Sequence, residues 1–307
     1  MTPDPILWET VACPLCGAAG DRDFLRAPGD DGATYRLGRC AGCELVFTNP
    51  RPDAASIARF YPADYAPYQP PKRRGRLLRR LRERLGVRGE RSLVDRVPPG
   101  GVLLDYGCGS GWCAARMRGR GWDARGMDFS AHAAAAARRN FGLEVVHGAL
   151  PHPAVRPGTV DLLTLRAVLE HVHDPRRLLA AVFDALKPGG HVYVSVPNLA
   201  GWGYRVFGTS WFPLDPPRHL LHFTPDTLRR AVAGCGFVVE AVTTIGHAKW
   251  VGYSAAKPGG GAKWVGRACR LRPARSLFAR AAQWAGRGDE VALLARKPDA
   301  APLRRAA

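Results

Sequence analysis

The sequence predicts an α/β protein: a doubly wound, mostly parallel seven-stranded sheet, preceded by a small metal-held module. Three observations predict it. From residue 96 onward, apolar strand-like runs alternate with helix-like stretches, the order that builds a parallel sheet covered on both faces. The first of those runs, Val102 to Leu104, ends in Asp105 and a glycine loop. Four of the eight cysteines fall as two CxxC pairs, Cys13/Cys16 and Cys40/Cys43.

The cysteine module comes first. Each CxxC places two thiolates on one ion through a tight turn, and two such turns complete a tetrahedral zinc site. Between them TYRLGRC reads as a strand feeding the second pair. Residues 1–50 are therefore predicted to form a zinc ribbon with a structural ion at its centre. So short a segment buries too little apolar surface to fold without one. Residues 51–95 follow as an aromatic segment and a basic linker. Pro50 and Pro52 force extended backbone, and Asp53 is placed to cap a short helix through Phe60. Tyr61, Tyr65 and Tyr68 either seal a domain interface or face a substrate. From Pro70 to Arg91, Leu77, Leu78, Leu81 and Leu85 form an apolar stripe among arginines.

The main domain is predicted over 96–298. After Asp105 the loop reads Gly107-Cys108-Gly109-Ser110-Gly111, and glycines let backbone approach a ligand closely. A helix from Gly111 to Arg118 starts at the same spot, with free N–H groups for an anion. The second strand, Asp123 to Met127, ends in Asp128-Phe129-Ser130. An acid about 20 residues after the glycine loop suits ribose hydroxyls. Ser130 is expected to cap a helix from Ala131 to Asn140. Leu143 to His147 is the third strand and Val160 to Leu165 the fourth. Asp174-Pro175 opens the next helix, and Lys187-Pro188-Gly189-Gly190 stops it before a fifth strand at His191. Thr224-Pro225 caps a further helix, and Phe237 to Val242 and Val291 to Ala295 complete the sheet.

LLDYGCGSG followed by GMDFS resembles the S-adenosylmethionine (SAM) fingerprint of class I SAM-dependent methyltransferases, with their Rossmann-like sheet. The resemblance implies that Gly107, Gly109 and Gly111 line the methionine part of SAM. Asp105 supports that part, Asp128 holds the ribose and Phe129 flanks the adenine. Ala149 and Leu150 would face the adenine edge, where the family often carries an acid that is absent here. Cys108 and Arg166 complete the implied cofactor set. LRAVLEHVHDP resembles the family's LEHV motif, which shapes the acceptor pocket with Glu170 and His171. Asn198, at the end of the fifth strand, faces the same side.

Methyl transfer needs alignment of the acceptor and a base near neutral pKa, and histidine supplies one. His171 is one candidate. His219 and His222 are the others, in an aromatic insertion at about 199–224 that also holds Trp211, Asp215 and Arg218. There Arg218 is expected to hold an acceptor anion. DPPRHLLHFT resembles a pattern in bacterial methyltransferases of the same ribbon architecture, many tied to surface-glycan or secondary-metabolite pathways. The chain also resembles sugar C-methyltransferases, without their further C-terminal domain. The expected acceptor is thus a sugar, glycan precursor or related metabolite, methylated on oxygen or carbon.

Net charge is +19, mostly arginine, which favours anionic partners. An RNA methyltransferase gripping phosphates with ribbon and arginines is the second reading. A non-catalytic SAM-binding scaffold is the third. No run reaches the ~18 apolar residues of a membrane span, and the first residues lack a secretory pattern, so a cytoplasmic location is expected. Basic amphipathic helices at about 246–288 could rest on an anionic membrane or cover the sheet. Residues 299–307 read as a disordered tail.

Overall fold

The computed structural model describes residues 5–61, 93–259 and 264–299. Tyr65, Tyr68, the basic linker from Pro70 to Arg91 and residues 300–307 of the tail lie outside the described residues. The N-terminal strands are β1 (Trp8–Glu9), β2 (Asp21–Pro28), β3 (Thr34–Cys40), β4 (Val46–Thr48) and β5 (Arg51–Pro52). The main sheet comprises β6 (Val102–Tyr106), β7 (Asp123–Asp128), β8 (Val145–His147), β9 (Val160–Arg166) and β10 (Leu186–Pro197). After the short β11 (Leu221–His222), β12 (Val238–Ile245) and β13 (Glu290–Arg296) complete it.

The seven-stranded order is β12-β13-β10-β9-β6-β7-β8. Only β13 runs antiparallel to its neighbours. The order reverses between β6 and β9, and in open α/β sheets ligands bind outside the carboxyl ends of the strands at such a point. The helices are α1 (Trp112–Arg118), α2 (Ala131–Phe141), α3 (Pro175–Ala185), α4 (Trp202–Phe207), α5 (Pro225–Ala233), α6 (Ala248–Ala256), α7 (Trp264–Ala268) and α8 (Arg272–Trp284).

The caps act as the sequence suggests. The Ser130 and Asp174 side chains accept N–H bonds at the starts of α2 and α3. Thr224 and Thr227 form a reciprocal capping box on α5. Asp53 Oδ1 accepts the Ser56 N–H at 2.7 Å before a 3₁₀ turn at Ile57–Phe60. One boundary differs. The fifth main strand begins at Leu186, which already pairs with Val160, and Lys187–Gly190 form an irregularity inside the strand. The register resumes at His191.

Period-two alternation assigns the sheet's two faces. Leu104, Leu163, Val194 and Leu293 join one buried cluster with residues of α3 and α5. Leu103, Leu162, Tyr193 and Leu294, one residue away in each strand, join a second with Ala114, Met117, Ala134 and Ala137. The first cluster also contains Cys13, Cys40, Leu45 and Phe47, so the cysteine module shares a core with the main sheet. The insertion binds the two further. β11 pairs antiparallel with β4, giving a four-stranded sheet of order β11-β4-β3-β2.

Phe47 is 1% exposed within that shared core. Truncating a buried Phe costs about 3–5 kcal/mol. F47A is expected to lower stability by that amount in urea unfolding, in a single transition reported alike by probes on both modules.

Candidate active site

The cofactor side is built at the switch point. Asp105, the penultimate residue of β6, is 2% exposed. Its Oδ1 accepts a bond from Thr164 Oγ1 at 2.6 Å, and the Arg166 guanidinium lies 3.3 Å away. The register of β6 on β9 sets Thr164 directly beside Asp105. Thr164 was not singled out from sequence, although a hydroxyl in an apolar strand is a visible signal. Gly107, Gly109 and Gly111 all have positive φ, at 71°, 52° and 80°. A Cβ on Gly107 would fall 2.4 Å from Val168 Cγ2, and one on Gly111 would fall 2.7 Å from Ala137 Cβ. The loop therefore requires glycine for both conformation and space.

Asp128, 4% exposed, ties this loop to β7. Its Oδ2 accepts the Gly109 N–H and its Oδ1 the Ser130 N–H, both at 2.9 Å. Burial pushes its carboxyl up, and the two N–H bonds oppose that. Each oxygen keeps a further lone pair for a ribose hydroxyl. Phe129 is 55% exposed, an open ring next to the loop. Ala149 is exposed and Leu150 buried. Cys108 points the other way: it is buried in the core beneath the loop, and burial pushes its thiol up. Only its backbone belongs to the ligand side. The glycine cradle, the strand-end carboxylate and the open aromatic ring fit SAM.

Tyr61 links this side to the acceptor side. Its ring meets Phe129 edge-on at 5.8 Å and His171 at 5.9 Å, and the rings of His171 and His219 are 4.6 Å apart. His171 Nδ1 lies 3.0 Å from the Arg218 carbonyl and 2.8 Å from the Tyr61 hydroxyl. His219 Nδ1 lies 2.8 Å from the Pro213 carbonyl. A carbonyl only accepts, so these contacts assign the proton to Nδ1 in each ring and the lone pair to Nε2. Burial, and for His171 the neighbouring His219, hold both imidazoles below their ordinary pKa.

Glu170 is 1% exposed, and neither carboxylate oxygen has a hydrogen-bond partner. Burial holds its carboxyl well above the usual range. Possible ligand atoms of Glu170, His171 and His219 lie within 4.8 Å of one another. His222 sits behind them in β11, its buried Nε2 unpartnered, and burial lowers it to about 3.

The structure separates other expected residues from this cluster. Arg218 is engaged by Asp215 and, at 2.7 Å, by Asp30 of the ribbon, which differs from the expectation that it grips an acceptor anion. Asn198 is fully buried: it donates to the Gly288 carbonyl at 2.8 Å and accepts from Ala200 N–H at 3.1 Å. Trp211 is 1% exposed, with its indole N–H 3.4 Å from Asp289. Both are core residues that hold the insertion in place.

At the ribbon, Cys13 and Cys43 sulfurs are 3.5 Å apart, as are those of Cys16 and Cys40. All four lie within 4.8 Å of one another. A tetrahedral zinc with Zn–S near ~2.3 Å needs sulfurs roughly 3.8 Å apart, so the group fits that ion. Against a burial penalty, N–H bonds from Cys43 and Gly42 lower the Cys40 thiol to about 7, which favours the thiolate that binds metal.

A family model described as a methyltransferase domain matches residues 72–242. The chain belongs to that family, and its seven-stranded sheet has the Rossmann-like methyltransferase fold. Among curated proteins, it is 34% identical over 130 residues to a ubiquinone biosynthesis O-methyltransferase of Pectobacterium carotovorum, covering 39% of this chain and 53% of that protein. A protein of the same name from Thiobacillus denitrificans is 33% identical over 165 residues, covering 49% and 71%. The chain spans about half the length of the first of these relatives. Among solved structures, geranyl diphosphate C-methyltransferase of Streptomyces coelicolor shares the fold, with a TM-score of 0.52 and 16% identity over 79% of this chain and 97% of that one.

D128N leaves an amide that cannot accept both loop N–H bonds as a carboxylate does. Losing one charge-assisted bond of about 1.5–3 kcal/mol is expected to raise the SAM Kd tenfold or more by calorimetry. An unchanged Kd would remove Asp128 from the cofactor site.

Proposed function

We propose that the protein transfers the methyl group of SAM to a hydroxyl oxygen of a small-molecule acceptor, with a neutral buried imidazole as base. The observation that carries this reading is the run of rings from Phe129 through Tyr61 to His171 and His219. It brings two imidazoles into one run of rings with Phe129, the residue that follows Asp128. The curated relatives are named O-methyltransferases, which supports oxygen over carbon.

Bound SAM supplies an electrophilic methyl group on a sulfonium. The glycine loop and Asp128 fix the cofactor's position, and Tyr61 and Phe129 wall the space beside it. When bound, SAM would give up its methyl group to the acceptor oxygen and keep the electron pair of the carbon–sulfur bond on sulfur. The hydroxyl proton passes to Nε2 of His171 or His219, and the Nδ1–H bonds to the Arg218 and Pro213 carbonyls hold the rings in the receptive tautomer.

The acceptor we favour is an acidic hydroxyl of the phenol class. An imidazole whose own pKa is lowered removes a phenol proton (pKa about 10) more readily than an aliphatic one. Zinc in the four-cysteine group serves as a structural centre that holds the ribbon, and through β4 the insertion, in place.

The test is transfer of label from methyl-labelled SAM into an extract of the source cells, split into RNA, protein and small-molecule or lipid fractions. Label is expected in the small-molecule or lipid fraction, on base-stable ether linkages. Label in ribonuclease-sensitive material would contradict the reading. H171Q and H219Q should each retain SAM affinity within threefold, and loss of the base should lower kcat about 10²–10⁴-fold in one of them. The base must be neutral to act. With both histidines lowered by burial, the rate should stay flat as pH falls through 6.5 and decline only below it. A decline centred above 6.5 would assign the proton to another group.

A further inference from the structure

We propose that α7 and α8 dock the protein on an anionic lipid bilayer. This goes beyond the reading of the active site and does not depend on it. Trp264 is 80% exposed, Trp284 83%, and Leu271 and Leu277 67% each. They fall in two rows. Trp264, Arg267 and Leu271 lie at i, i+3 and i+7, and Leu277, Arg280 and Trp284 repeat that spacing along α8. Leu277, Arg280 and Trp284 share a face of α8; Trp264 and Arg267 lie on α7 and Leu271 in the turn that leads into α8, and all six are exposed. Each row places a guanidinium between two large apolar side chains.

The fold does not need these side chains. α8 is anchored by its other face, where Ala279 and Ala282 are buried and Phe278 meets Phe207 and Trp202. Gln283 Oε1 accepts the Gly246 N–H at 3.1 Å. Exposed tryptophans on a rim of arginines expose apolar surface to water without a stabilising return inside the molecule.

Charge decides the partner. No Asp or Glu occurs from 246 to 288, whereas Lys249, Lys257, Arg267, Arg270, Arg272 and Arg280 lie within that span. A segment with arginine beside tryptophan and no acid of its own, in which Lys257 is paired with a carboxylate, Asp30, matches lipid phosphate beside acyl chain: indole rings sit at headgroup depth and basic side chains draw the anionic headgroups. Among the described residues no helix is long and apolar enough to cross a membrane, so contact would be peripheral.

The test is flotation of the full-length protein with vesicles of phosphatidylcholine alone or mixed with phosphatidylglycerol. Binding is expected only to the phosphatidylglycerol vesicles, weakening with salt. R280Q should lower partitioning about fivefold, the value of one basic residue near an anionic surface. W264A/W284A should lower it at least tenfold while SAM affinity stays unchanged. Equal flotation with both lipids, or no flotation, would overturn the proposal. So would full binding by W264A/W284A, which would place the contact elsewhere, including the linker at 70–91. Single-stranded RNA that binds through the arginines alone, with no vesicle binding, would assign the surface to nucleic acid and overturn it too.

Discussion

A short series of backbone bonds joins the ribbon, the insertion and the LEHV turn, and the acceptor side depends on it. Thr48, at the end of β4, donates its N–H to the Leu220 carbonyl and its hydroxyl to the His219 carbonyl, both at 2.9 Å. Leu220 in turn donates to the Glu170 carbonyl at 2.8 Å. Two consecutive residues of the insertion are thereby pinned between the ribbon and the end of β9. Because His219 is one of them, its ring position follows from the seam. His171, one residue after Glu170, is set from the other side.

The seam is largely buried, and burial controls its electrostatics. Burying an imidazole disfavours its charged form, so His171, His219 and His222 are all held neutral. The same burial raises the Glu170 carboxyl well above the usual range. A carboxylate and imidazolium pair would have offered charge for stabilising an anion; this cluster instead offers lone pairs. Charged groups border it: Arg218 is balanced by Asp215 and by Asp30, and Asp215 Oδ2 lies 3.9 Å from His219 Nε2. The ribbon thus contributes to the site through Thr48 and Asp30 as well as through its shared core.

Much of the main domain was legible in the sequence because its signals are local. Asp174-Pro175 and Thr224-Pro225 are helix starts by residue type alone, and the positive-φ loop at Gly107 to Gly111 announces itself by composition. The two CxxC pairs identify the four sulfurs that the fold gathers. The acceptor side was only half legible, because its meaning lies in long-range pairing. His171 and His219 were named as candidates, but nothing in the chain near Tyr61 shows that its hydroxyl meets an imidazole 110 residues away. Arg218 looked available because Asp30 is distant in sequence. Trp211 and Asn198 looked like pocket residues because an aromatic insertion carries polar and apolar groups alike. Only the packing on Asp289 and Gly288 reveals which are core.

The central claim is that the ribbon positions the acceptor-side histidines without taking part in cofactor binding. The direct measurement is SAM affinity and methyl transfer, side by side, in the full chain carrying C40S, with bound zinc counted in both proteins. The account predicts one zinc per wild-type chain and less in the variant, SAM affinity within about threefold of wild type, and transfer reduced at least tenfold. Equal loss of both would show that the ribbon supports the whole fold and not the seam. Transfer at the wild-type rate without zinc would contradict the claim outright.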